Sequence, residues 1–137
     1  MEVRSHCPIN FTLEHFGDKW SFLIIRDLMF KGKRHYNEFL EADEKVSTSV
    51  LGDRLKKLEE FGIISKGQDH VKKSRIRYSL TQKGIDLLPI LLEMIIWGGL
   101  KDALTESPKE YMDQAINHKD ELLKETRKQL IKDHLNQ

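Results

Sequence analysis

Between Ile85 and Trp97, ten of the thirteen residues are Leu, Ile, Met or Trp, interrupted only by Asp86, Pro89 and Glu93. A helix built on such a run is apolar nearly all round, so it either crosses a membrane or is covered by protein on every side. The run falls short of the ~20 apolar residues a spanning helix requires. Cover must therefore come from protein, and one small domain in a chain of 137 residues has too little apolar surface to supply it alone. The expected cover is a second copy of the chain, which makes a homodimer without a membrane segment the first expectation.

Around that run the pattern is helical, broken once by a change of period. Pro8 to Phe16 reads as a short helix stopped by Gly17, and Asp18 reads as the cap of a second, from Lys19 to about Phe30, apolar enough to lie at the centre of a core. A third short helix spans about Tyr36 to Ala42, and Glu41 to Val46 is a turn. Ser47, Thr48 and Ser49 are cap residues for a fourth helix, in which Val50, Leu51, Leu55, Leu58 and Phe61 recur at helical spacing until Gly62. After Gly62 the period shortens. Ile63 and Ile64 begin a strand, Gly67 to Ser74 is a polar, basic tip, and Ile76, Tyr78 and Leu80 alternate with Arg75, Arg77 and Ser79. Thr81 caps a long helix through about Leu100, and a helix of mixed charge from Lys109 to about Leu135 repeats Ile116, Leu123 and Leu130 every seven residues. The expected fold class is mostly α with a small β-hairpin, a winged helix-turn-helix whose long helices after the hairpin form a dimer interface. Its expected divisions are a DNA-binding domain over residues 1–100 and a C-terminal helix over 101–137.

Charge is unevenly spread. From Lys45 to Tyr78 there are nine Lys and Arg against four Asp and Glu, a net of +5, and the remainder of the chain carries −4. A basic third covering one helix and one hairpin is the footprint expected of phosphate contact. A recognition helix enters the major groove by its N-terminal half, where small polar residues permit close approach. Ser47, Thr48, Ser49, Gly52 and Asp53 are therefore candidates beside the bases, with Lys56 and Lys57 reaching phosphates. Arg54 reads equally as a phosphate clamp or as an ion-pair partner of Glu59 or Glu60. Lys72, Lys73 and Arg75 are the hairpin's candidates, although exposed hairpins also carry such residues for solubility alone.

Other chemistry finds no residues. The six His show no paired metal-ligand spacing and the single Cys supplies no Cys-x-x-Cys half-site, so no metal is expected. No P-loop, dinucleotide fingerprint, nucleophile elbow or zinc-protease motif occurs, so neither a catalytic residue nor a cofactor is expected. One cysteine closes no intramolecular disulfide, and Met1 to His6 lacks the apolar run of a secretory signal, which places the expected location in the cytoplasm. Cys7 itself has two readings. Before Pro8 it stands at a helix start, where free amides favour thiolate, yet a lone cysteine is also commonly a small buried hydrophobe.

The ordered set Cys7-Pro8, Gly17-Asp18-Lys19-Trp20, Leu51-Gly52-Asp53-Arg54-Leu55-Lys56-Lys57-Leu58-Glu59, Gly62 and Tyr78-Ser79-Leu80-Thr81-Gln82-Lys83-Gly84 resembles the HxlR-type regulators, relatives of the MarR winged-helix proteins. The resemblance runs from Cys7 to about Gly99. It implies a homodimeric bacterial transcription factor whose terminal helices form the dimer and whose two recognition helices bind a palindromic operator in double-stranded DNA. It also implies, for some members, control through oxidation or alkylation of the cysteine near the N-terminus, here Cys7, with an oxidant or an unidentified small molecule as effector. Gly52 departs from the larger residue common at that position. The rival expectation is a winged-helix protein-interaction module, in which the Ile85–Trp97 helix docks a different protein and the hairpin is merely solvated.

Overall fold

Pro8, whose ring presets a helical φ and whose missing N–H is no loss in a first turn, opens α1 (Pro8–Phe16) in a computed structural model that describes residues 3–136. The Asp18 carboxylate accepts hydrogen bonds from the N–H groups of Trp20 and Ser21 at 2.8 and 2.9 Å and from Ser21 Oγ at 2.6 Å, satisfying the free amides that begin α2 (Ser21–Phe30). From α2, Ile24, Ile25, Leu28 and Met29 are buried. The short α3 (Tyr36–Leu40) adds buried Phe39. Ser47 Oγ accepts from Val50 N–H at 3.3 Å and starts α4 (Thr48–Glu60), which buries Leu51, Leu55 and Leu58 along one side. Gly62 adopts φ 74°, a left-handed conformation that an L side chain resists, and turns the chain out of α4.

The hairpin pairs β1 (Ile64–Gln68) antiparallel with β2 (Ile76–Leu80), Ile64 opposite Leu80 and Gln68 opposite Ile76. Its inner end belongs to the core, with Ile64, Tyr78 and Leu80 buried against α2 and α4, and its outer end stands in solvent. The alternation read from the sequence fails at two places. Ser79 is buried because its hydroxyl accepts from Arg34 Nη2 at 2.6 Å, and Ile76, near the tip, is exposed.

Residues Met1–Leu80 form one compact unit and Thr81–Gln137 a second. The two units meet in sequence at the end of the hairpin, and the apolar helix packs on the helices that follow it. That helix is also not continuous from Thr81. Thr81 Oγ1 does accept from Gly84 N–H at 3.1 Å, but it caps only α5 (Gln82–Ile85), and the chain turns over Asp86 and Leu87 before α6 (Leu88–Lys101). Pro89 explains the break: deep in a helix it would lack a donor and its ring would strike the carbonyl of Ile85, whereas in the first turn of α6 it costs nothing.

The last helix is likewise two, α7 (Lys109–Asn117) and α8 (Lys119–His134), separated at His118, whose φ −134° and ψ 42° are not helical. The seven-residue spacing of Ile116, Leu123 and Leu130 therefore does not trace one continuous stripe, and Ile116 is exposed while Leu130 is buried. Within this unit Leu88, Leu91 and Leu92 of α6, Met112 and Ala115 of α7, and Leu130 of α8 are buried. No helix among the described residues is long and apolar enough to cross a membrane.

Candidate nucleic-acid interface

A helix buried along one side presents the other by geometry. In α4 the buried leucines recur at three- and four-residue steps, so Thr48, Ser49, Gly52, Asp53 and Lys56 share the solvent side, with Ser47 just before them. All six are exposed. Gly52 has nothing within 4 Å of where a Cβ would stand. No packing inside the chain asks for glycine there, even though glycine weakens a helix by about 1 kcal/mol relative to alanine.

The charged residues of this face divide into committed and free. Arg54 is half-buried and bridges Asp18, 3.4 Å from its Nη1, to Asp53, which it binds through Nε and Nη2. Its partners are not Glu59 or Glu60. Glu59 lies 3.8 Å from Lys66 of β1 instead, so Arg54 ties α4 to the start of α2, a pairing across thirty-six positions that local spacing could not show. Lys57 stands 3.7 Å from Asp53, and with Arg54 it holds that carboxyl below its usual range, the Arg54 hydrogen bonds being the larger cause. Arg75 lies 3.4 Å from Asp69. By contrast Lys56, Lys72 and Lys73 are exposed and make no ion pair among the described residues. Their charge is available to an outside anion.

Cys7 is exposed and occupies the cap position of α1, which removes the buried-hydrophobe reading. The backbone N–H groups of Asn10 and then Ile9, in the first turn of α1, lower its pKa below the ordinary thiol value. Among the described residues no three His, Cys, Asp or Glu side chains converge as a metal-binding set would.

A helix pair, α3 and α4, joined by residues 41–47 and followed by a two-stranded hairpin with an exposed basic tip, defines a winged helix-turn-helix. The chain belongs to the HxlR-like helix-turn-helix family, which matches residues 15–106. It is similar to YybR of Bacillus subtilis (strain 168), named an uncharacterized HTH-type transcriptional regulator, with 35% identity over 101 residues, 74% of this chain and 80% of YybR. Among solved structures, the redox regulator HypR in its oxidized form is 33% identical with a TM-score of 0.63, over 72% of this chain and 100% of HypR's. The reduced form of the transcriptional regulator YodB from B. subtilis is 26% identical with a TM-score of 0.57, over 74% of this chain and 100% of YodB's.

The lowered Cys7 pKa leads to a measurable expectation. Thiolate is the reactive form, so the pH profile of Cys7 alkylation in the native protein should inflect below the ~8.5 of a free cysteine. An inflection at or above that of free cysteine contradicts an influence of the helix start on the thiol.

Proposed function

We infer that the protein is a dimeric, sequence-specific DNA-binding regulator of transcription, with α4 in the major groove and the hairpin as a wing against the adjacent backbone or minor groove. The observation that carries this reading is the pairing, within one compact unit, of a small, polar, solvent-facing side of α4 with a hairpin tip whose Lys72 and Lys73 ammonium groups make no ion pair among the described residues. Membership of a family whose named relatives are transcriptional regulators supports it. In this reading Ser47, Thr48, Ser49 and Gly52 lie beside base edges, Lys56, Lys72 and Lys73 take phosphates, and Asp53, Arg54, Lys57 and Arg75 chiefly hold the surface in shape. The operator is a palindrome, matching the two-fold symmetry of a dimer.

Dimerisation through unit Thr81–Gln137 is supported by an apolar row on α6. Ile90, Met94 and Trp97 are exposed at four- and three-residue steps, Trp97 by 69%, and with Pro89 and Glu93 they line an open apolar groove. Leu100 and Leu104 extend the exposed apolar surface beyond them. A monomer rarely leaves such surface wet. Cys7 is the oxidation-sensitive element in this reading, supported by its exposure, its lowered pKa and the redox-regulator relative HypR. With one cysteine per chain, a disulfide formed there joins two chains or captures a small thiol.

The reading is tested by duplex binding across salt concentrations. Replacing Lys72 and Lys73 with alanine should weaken binding to all sequences and flatten the salt slope by about one unit per lost phosphate contact. An unchanged slope removes the wing from the interface, and absent salt-dependent binding by the wild type favours the protein-interaction alternative. Gly52→Ala separates folding from function: it should raise stability by up to ~1 kcal/mol in chemical denaturation while weakening DNA binding. A gain in stability with full affinity would mean that close approach at Gly52 is not used. Trp97→Ala should raise the dimer dissociation constant by roughly thirtyfold or more in sedimentation equilibrium, the scale of a central aromatic anchor. A monomeric wild type at micromolar concentration would overturn the dimer.

A further inference from the structure

The two residues that precede α3 brace both ends of the hairpin. Arg34 holds the inner end: the Tyr78 N–H donates to its carbonyl at 2.8 Å, and its side chain donates to the Tyr78 carbonyl at 2.7 Å and to Ser79 Oγ at 2.6 Å. His35 reaches the outer end. One ring nitrogen, Nε2, lies 2.7 Å from Asp69 Oδ1, just past the last residue of β1, and the other, Nδ1, faces Glu38 Oε1 on α3.

Asp69 in turn organises the tip. Its N–H donates to the Arg75 carbonyl at 2.9 Å, and its Oδ2 accepts from the N–H groups of Val71 at 3.1 Å and Lys72 at 2.9 Å, with Arg75 Nη2 at 3.4 Å. It is only 6% exposed, whereas residues 70–75 are all exposed. The Lys72 N–H foremost, and then His35, hold its carboxyl far below the usual carboxylate range, so it stays ionised and accepting. A continuous path thus runs from α4 to α3, which packs on it, through Glu38 and His35 to Asp69 and the turn that carries Lys72 and Lys73.

We propose that His35 and Asp69 form a strut that sets how the wing tip is presented beside α4, making both of them positioning residues for the Lys72 and Lys73 contacts. An isolated two-stranded hairpin is marginally stable in water, and this ladder ends at the Gln68–Ile76 pair, before the tip begins. The strut supplies a second attachment outside the ladder. It orders the tip before DNA arrives, so that less conformational freedom is lost on binding. The proposal rests on the tip being a DNA contact, and its test separates the two.

The experiment compares wild type, His35→Ala, His35→Arg and Lys72→Ala/Lys73→Ala, alone and with His35→Ala added. It reads affinity for a mixed-sequence duplex across salt, and amide exchange at Val71 and Lys72 by NMR. His35→Ala should speed exchange at both amides and lower affinity roughly tenfold, with most of that loss gone on the Lys72→Ala/Lys73→Ala background. His35→Arg, whose guanidinium donates in two directions, should restore most of the affinity. Asp69→Asn serves in the same comparisons if His35→Ala folds poorly.

Unchanged affinity despite faster exchange overturns the proposal, as does a loss undiminished without the two lysines, which would mark a merely structural role. If the wild type shows no salt-dependent duplex binding, the reading of the tip fails instead. Exchange then decides the strut, and unchanged exchange in His35→Ala overturns it.

Discussion

Leu51, Leu55 and Leu58 hold one side of α4 in the core, and the placement of the whole candidate interface follows from that burial. A period of 3.6 residues leaves no freedom about which residues then face water. Thr48, Ser49, Gly52, Asp53 and Lys56 are outside because the three leucines are inside. The remaining elements of unit Met1–Leu80 serve to keep α4 at a fixed angle and depth. Asp18 accepts from the amides that lead into α2 and meets Arg54, Tyr36 Oη donates to the Thr48 carbonyl at 3.0 Å, and the inner half of the hairpin packs on α2 and α4.

Charge is used in the same unit for two purposes. Arg34, Arg54 and Arg75 are anchored to partners inside the chain, and each fixes the position of an element: the root of the hairpin, the N-terminal end of α2, and the wing turn. Lys56, Lys72 and Lys73 lie on the outside with no ion pair among the described residues. Arginine suits the first task because its planar fork binds two acceptors at once, and lysine suits the second because a flexible ammonium follows a phosphate backbone without demanding one geometry.

Much of this was legible in the sequence wherever the cause is local. Ser47 and Thr81 are readable as caps because a short side-chain acceptor three residues before an amide is a neighbour interaction, and Gly62 as a stop because few residues accept its φ; Asp18 makes the same bond to Ser21, but α2 begins two residues later than Lys19, with Trp20 in the cap position. The winged helix-turn-helix followed from that order of elements. Pro89 was visible in the apolar run, yet its consequence, a turn over Asp86 and Leu87 in place of one long helix, required weighing a single steric clash against ten apolar residues. The break at His118 has neither Gly nor Pro to announce it. Arg54–Asp18 and His35–Asp69 were hidden for a different reason: their partners stand thirty-six and thirty-four positions apart and meet only once the chain has folded. Cys7 by sequence suits either exposure or burial, and its place at the solvent-exposed start of α1 decides for exposure.

Selection of bound fragments from random duplex DNA by the purified protein tests the central claim most directly, since it asks at once whether α4 reads bases and whether two copies read together. The account predicts enrichment of a palindrome whose half-sites lie roughly 34 Å apart, centre to centre, or a multiple of that, as a dyad-related pair of recognition helices on one face of the duplex requires. Recovery of no shared sequence, or of a single site without a symmetric mate, would contradict it.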